Sequence, residues 1–325
     1  MKKIIAIILL PVLFYGCKVK ETTSTTENKT EISPELISII NTELITKHIT
    51  TLASDEMEGR KSGTEGIEKA AKYIEGEFER IGLTSYSNLP KFRQNFRTKG
   101  LDLFNVIGVL EGNSRKDEYV VFSGHYDHLG VIKNGEGDNI YNGADDDASG
   151  ISAVLALAEY FKKTGKNERT IIFIAFTGEE MGLLGSNYFG KGIDASKFIA
   201  GINIEMIGKE SKFGPKTAWL TGFKRSTFGT IVQKNLEGSG YKLYPDPYKR
   251  LQLFYRSDNA SLAELGIPAH TFSTGPIDTD EHYHKVSDEV STLNMVTITE
   301  TVRAIAIGTQ SIIDGTDTPS RVTLK

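Results

Sequence analysis

The chain has 325 residues, enough for one large catalytic domain or two small ones. Its 38 Lys+Arg against 42 Asp+Glu leave a formal charge of −4, which excludes a basic nucleic-acid binder and an acidic disordered chain alike. Cys17 is the single cysteine, so an intrachain disulfide framework and a cysteine zinc cage are excluded too.

From the N-terminus, Met1-Lys2-Lys3 is a basic start to the apolar run Ile4 to Gly16, 13 residues long, against the roughly 20 that a bilayer span needs. The run suits the h-region of a signal peptide, and Cys17 directly after it resembles a bacterial lipoprotein signal. Residues 1–16 are therefore expected to be a lipoprotein signal peptide, with Cys17 as a lipidated N-terminus and the only link to a membrane. An ordinary secretory signal with an incidental cysteine is the alternative. Either way the mature chain is expected to be exported, and the lipidated form to sit at the cell envelope. Residues 17–34 are polar and Thr-rich and read as a flexible tether. Residues 35–316 read as a single catalytic domain, and 317–325 as a tail of turn residues without periodicity.

Within the domain, Ile67, Ala70, Ala71, Ile74, Phe78 and Ile81 recur at helical spacing after Thr64, with Gly82 as the stop. Asn105–Leu110 and Tyr119–Ser123 read as strands and Ile151–Phe161 as a helix. Thr170–Phe176 is a continuous apolar run, the mark of a strand buried on both faces. A short helix is expected from Gly178, strands over Phe198–Met206 and Ala269–Phe272, and a closing amphipathic helix over Leu293–Ile313. This alternation predicts an α/β fold, a three-layer α/β/α sandwich around a central mixed, mostly parallel sheet. In such sheets ligands bind beyond the carboxyl ends of the strands.

The polar residues gather at those ends. Tyr119–Ser123 leads into Gly124-His125-Tyr126-Asp127-His128, and Asp145-Asp146-Asp147 opens a helix. Thr170–Phe176 leads into Thr177-Gly178-Glu179-Glu180, the strand after Phe198 carries Glu205, and Glu281-His282-Tyr283-His284 follows near the C-terminus. Carboxylates so clustered repel one another unless protonated or neutralised by cations. Imidazole plus carboxylate without thiolate suits zinc or a similar divalent ion. Asp146, Glu180 and Glu205 bring −3 and a metal-bound hydroxide would bring −1. Charge counting thus points to two ions with one carboxylate between them, and leaves Glu179 as an extra base.

Five motifs, GHYDH, NGADDDASG, FTGEEMGLLGS, INIEMIG and YHKVSD, occur in that order. Together they resemble the zinc exopeptidase family of bacterial leucyl aminopeptidases and glutamate carboxypeptidase, over roughly residues 45–315. The resemblance implies two Zn(2+) ions and peptide substrates. His125 would bind one zinc, oriented by the Asp127 carboxylate, and Asp146 would bridge both. Glu180 would be a zinc ligand, Glu205 would complete the site around one zinc and His284 the site around the other. Glu179 would be the general base, taking a proton from water activated between the ions and passing it to the leaving amine. Tyr283 matches a position where some members place a phenol to stabilise the oxyanion. Many aminopeptidase members have aspartate where Glu205 stands.

The remaining titratable residues receive plainer readings. Asp147 reads as a helix cap and Asp145 as a second candidate cap, His48 as structural or exposed and His270 as buried; His128 reads as a polar loop residue, with a ligand role by spacing as the alternative. His282 is an alternative ligand to His284. Glu58-Gly59-Arg60 and Ser62-Gly63-Thr64 read as a turn and a helix cap. Ser257 and Asp258 either support ligands or are purely structural. The substrate pocket is expected within residues 209–256, which carry Trp219, Phe223, Tyr244, Tyr248, Phe254 and Tyr255. An aminopeptidase is the leading expectation. A carboxypeptidase of the same family, a single-zinc glutaminyl cyclase and a non-catalytic lipoprotein are the competing ones.

Overall fold

The computed structural model describes residues 34–324 apart from 88 and 134–136. The expected signal peptide, Cys17 and nearly all of the expected tether lie outside the described residues. In chain order the strands are β1 (Thr84–Ser85), β2 (Arg93–Thr98), β3 (Leu101–Leu110), β4 (Arg115–His125), β5 (Gly130–Val131), β6 (Ile140–Tyr141), β7 (Arg169–Phe176), β8 (Phe198–Ile204), β9 (Thr217–Leu220), β10 (Lys242–Pro245) and β11 (Ala269–Ser273). The helices are α1 (Pro34–Ile37), α2 (Thr42–Leu52), α3 (Glu65–Ile81), α4 (Gly150–Thr164), α5 (Leu184–Lys191), α6 (Phe228–Asn235), α7 (Asn259–Ala263) and α8 (Met295–Ile313).

The main sheet runs β1-β3-β7-β4-β8-β11-β9-β10, with β2 paired to β3. Its four central strands, β7, β4, β8 and β11, are mutually parallel, while the pairings of β3 and the β9–β11 pairing are antiparallel. Every residue of β7 is buried, as its unbroken apolar run requires. The two-residue period of β4 splits its side chains between two helical layers. Phe122 stacks on Phe161 of α4, with ring centroids 5.6 Å apart. Its neighbour Val121 joins the opposite cluster, with Phe189 of α5 and Leu262 of α7. Helices α2, α3, α4 and α8 pack on one another, and α5 packs on α7. The expected three-layer sandwich is thus observed. Among the described residues, no helix is long and apolar enough to cross a membrane.

Helix α3 ends at Gly82 in the left-handed region (φ 80°), its N–H returning to the carbonyls of Phe78 and Glu79. Two expectations need correction. The helix expected from Gly178 begins only at Leu184, because Gly178, Gly182 and Leu183 all adopt positive φ and fold residues 178–183 into a tight turn. Residues 317–324, read as a tail, are bound to the domain: Arg169 donates to the Asp317 carbonyl and to Thr318, and the Thr323 N–H donates to the Arg225 carbonyl.

Register brings the site together. His125 pairs with Phe176 across β4 and β7, and Ile204 pairs with Phe272 across β8 and β11. His125, the 177–180 turn and Glu205 therefore leave the sheet side by side. Gly150, the first residue of α4, sits where a Cβ would overlap the Ile204 carbonyl oxygen and the Asp147 carboxylate. We expect Gly150→Ala to lower unfolding free energy by about 1–3 kcal/mol, read from denaturant midpoints at constant m-value.

Candidate metal centre

Asp146 lies on the loop that opens α4, and its carboxylate reaches imidazoles on two sides. Its Oδ1 is 3.0 Å from His125 Nε2, and its Oδ2 is 3.2 Å from His284 Nε2. Glu180 Oε2 is also 3.2 Å from His284 Nε2, and Glu180 Oε1 is 2.9 Å from His128 Nδ1. Two groups of donors result, each within 4.8 Å of one another: His125, Asp146 and Glu205, and His128, Asp146 and Glu180. Asp146 belongs to both. Its N–H and that of Asp145 donate to the two carboxylate oxygens of Asp288, four residues beyond His284. The strand-borne and loop-borne halves of the centre are tied by this carboxylate.

The flanking aspartates of the triplet are structural. Asp147 accepts from the N–H groups of Gly150, His125 and Met206, so it caps α4 as expected and also clamps the ends of β4 and β8. Asp145 accepts from the Gly208 N–H at 2.6 Å. Asp127 holds the Glu179 N–H at 3.1 Å, while its carboxylate stands 3.8 Å from His125 Nδ1. The expected orientation of His125 by that carboxylate is replaced by a contact to the Asp127 backbone carbonyl at 3.0 Å.

The electrostatics are those of a site short of positive charge. Burial opposes ionisation of the His125 imidazole, yet Glu179 and Asp146 carry its pKa well above the usual value. Burial likewise opposes the His284 imidazolium, but Asp146 and Glu180 raise it to about 10. The same imidazoles hold Asp146 well below the usual carboxylate range despite its burial. Burial and the charge of Asp146 push Glu205 up to about 7, against the pull of His125. Protons here occupy places that cations suit better. His125 Nε2, both His128 ring nitrogens, Glu180 Oε1 and Glu205 Oε2 are buried without a hydrogen bond. Unpartnered buried nitrogen and oxygen donors facing one another fit divalent ions with a preference for zinc.

His128 corrects the sequence reading. It is 1% exposed and belongs to the donor cluster rather than to a polar loop. Gly143 makes room for its ring, since a Cβ there would lie 2.6 Å from His128 Cδ2. Its position three residues after His125 was the available signal. Arg60, read as part of a turn, is 1% exposed and donates to the carbonyls of Tyr126, Leu52, Asn142 and Gly143, fastening the two loops that carry His125 and Asp146. No local pattern marks it, because three of its partners lie 66 to 83 residues away.

His282 stands apart, with Nδ1 3.0 Å from Ser287 Oγ, and His284 is the histidine that reaches the cluster. His48 meets the Tyr73 hydroxyl at 2.7 Å, and His270 stacks on Phe228; burial lowers both to about 4. Ser257 accepts from Asn203 at 2.7 Å beside Glu205, and Asp258 is fully buried. Tyr283 stacks on His284 at 3.9 Å and faces a cleft next to Glu205. Of the aromatic residues expected to form the pocket, Trp219 lines this cleft. Phe254 joins the core, Tyr248 packs edge-on against Trp219, and Tyr244 stacks on Phe213. Tyr255 lies outside the cleft beside Arg225.

Residues 105–307, spanning every donor named above, match the sequence profile of Peptidase family M28. This chain belongs to peptidase family M28. A probable zinc metalloprotease of Pyricularia oryzae is 30% identical over 194 residues, covering 56% of this M28 chain and 37% of that protein. The chain thus matches little more than a third of that relative's length. Among solved structures, the Legionella pneumophila LapA aminopeptidase superposes with a TM-score of 0.69 at 21% identity, over 87% of this chain and 76% of that one. Porphyromonas gingivalis glutaminyl cyclase superposes with a TM-score of 0.66 at 16% identity, over 84% and 99%. These likenesses establish the M28 chain's fold.

Two outcomes follow. Arg60→Lys is expected to destabilise the protein by roughly 3 kcal/mol in denaturant melts, because the shorter ammonium leaves buried carbonyls unsatisfied. Zinc requires neutral imidazole nitrogens, and His284 carries a proton at pH 7 in the metal-free protein. Loading zinc should therefore release protons, seen as a buffer-dependent calorimetric enthalpy. The apparent association constant should rise about tenfold per pH unit for each proton released.

Proposed function

We propose that this chain is a zinc-dependent aminopeptidase that removes N-terminal residues from peptides. The observation that carries the reading is Asp146, shared by two buried donor groups, with Glu179 beside them. In this reading His125, Asp146 and Glu205 hold one zinc, and Asp146, Glu180 and His284 the other, with His128 against Glu180 beside it. A bound pair of divalent ions would polarise a peptide carbonyl and lower the pKa of coordinated water. Glu179 would accept the proton of the attacking water and deliver it to the leaving amine. Burial, with Glu205, Asp258 and Asp146 nearby, pushes its carboxyl well above the usual range against the pull of His125, so it takes up a proton readily. Its backbone is held by Asp127, which fixes where that carboxyl starts. The Tyr283 phenol, kept neutral by burial and by the charges of Asp146, Glu205 and Glu180, would donate to the developing oxyanion.

The match to Peptidase family M28 supports peptide hydrolysis over cyclisation. The cyclase reading uses one ion, whereas two donor groups share Asp146 here. We further propose export with attachment to the cell envelope through a lipidated Cys17. A Cys17→Ala chain is then expected in the soluble rather than the membrane fraction.

Mass spectrometry of a defined peptide mixture, including one with N-terminal glutamine, tests the activity. Stepwise N-terminal loss is expected, blocked by a chelator and restored by zinc. Glu179→Gln should lower turnover by at least about a thousandfold while leaving zinc content unchanged. C-terminal loss would reassign the chain as a carboxypeptidase, and ammonia loss from the glutamine peptide alone as a cyclase.

A further inference from the structure

A cleft opens beside the metal centre, lined by Glu205 and Tyr283 and by the apolar side chains of Trp219, Leu253 and Ile277. Glu205, the one acid in the lining, is claimed by the donor group of His125 and Asp146. Arg256 is the one cation in the lining. Its backbone is pinned by the Arg256 N–H to the Leu253 carbonyl at 3.1 Å, at the end of the 3₁₀ turn Leu253–Tyr255.

The guanidinium itself is exposed and, among the described residues, forms no ion pair or hydrogen bond. Other arginines of this chain are used differently: Arg93 pairs with Glu68 and Glu75, Arg169 with Glu118, and Arg60 with four carbonyls. Arg256 nonetheless acts on the centre, since its charge opposes the upward shift of the Tyr283 phenol. A guanidinium presents a rigid fork of donors that matches a carboxylate, and such pairs gain strength beside apolar walls that exclude water.

We propose that Arg256 is a specificity residue and that the cleft selects substrates carrying a carboxylate. That carboxylate is either an acidic side chain on the residue being released or the terminal group of a short peptide. Paired across the cleft mouth, it places the scissile bond between Arg256 and the donor cluster. An uncharged isostere leaves the guanidinium without a partner and binds less well. The turnover half of the argument rests on the peptidase reading above, and the binding half does not.

The zinc-loaded full chain, Arg256→Gln and Arg256→Lys are compared, with zinc content checked for each. One arm uses a peptide with N-terminal Glu against the same peptide with Gln, and the other a dipeptide against its C-terminal amide. The expected result in at least one arm is a kcat/KM ratio above ten in the wild type. That ratio should fall at least tenfold in Arg256→Gln, chiefly through KM, and recover in part in Arg256→Lys. The arm that responds identifies which carboxylate is read. Ratios near one in the wild type, or unchanged in Arg256→Gln, overturn the proposal. Calorimetry with glutamate and glutamine hydroxamates gives a readout independent of hydrolysis. Preferential glutamate hydroxamate binding that is lost in Arg256→Gln without any peptide cleavage supports Arg256 and overturns the peptidase reading. Cleavage without any carboxylate preference overturns Arg256 alone.

Discussion

The architecture turns on one buried carboxylate. Asp146 must stay ionised at 2% exposure, where an isolated charge is strongly disfavoured. It does so because His125 approaches from a sheet strand, His284 from a C-terminal loop, and Asp288 fixes its backbone. Three stretches of chain far apart in sequence are thereby brought to one point. Cations are the natural answer to the remaining negative charge, and two buried donor groups flank the same aspartate.

The neighbours of Asp146 show how polar groups are sorted by partner. Asp145, through one oxygen, and Asp147 sit on the same turn but accept from backbone N–H groups of β8's exit, β4 and α4. Arg60 does the complementary task, giving its donors to carbonyls of the loops on either side. Backbone groups near the centre are thus satisfied by dedicated side chains. Ring nitrogens of His125 and His128 and carboxylate oxygens of Glu180 and Glu205 are among the buried groups left without a hydrogen bond, and these are the ones gathered around Asp146.

Much of this was legible in the chain itself. Apolar runs such as Thr170–Phe176 ending in Glu179-Glu180 announce both a buried strand and the chemistry at its tip, because periodicity and charge change at the same residue. Gly82 as a helix stop and the order of the five motifs were equally readable. Arg60 was not, since three of its carbonyl partners lie tens of residues away, and His128 was marked only by its spacing from His125, which suits a polar loop as well. The start of α5 was missed because three residues of the 178–183 turn take positive φ, which composition alone signals only at the glycines. The cleft was placed in the right stretch, but most of its aromatic residues pack elsewhere: stacking partners such as Phe213 for Tyr244 are set by tertiary packing.

His284 stands apart from the other donors in one respect. Its side chain is 37% exposed, on a segment outside the sheet, and its backbone adopts φ 56°. Left-handed backbone at a bulky residue is held by what the side chain binds. The placement of residues 276–289 is therefore tied to the contacts His284 makes with Asp146 and Glu180. A protease that nicks this segment faster in His284→Ala than in the parent chain would gauge how firmly that tie holds the loop, with no substrate present.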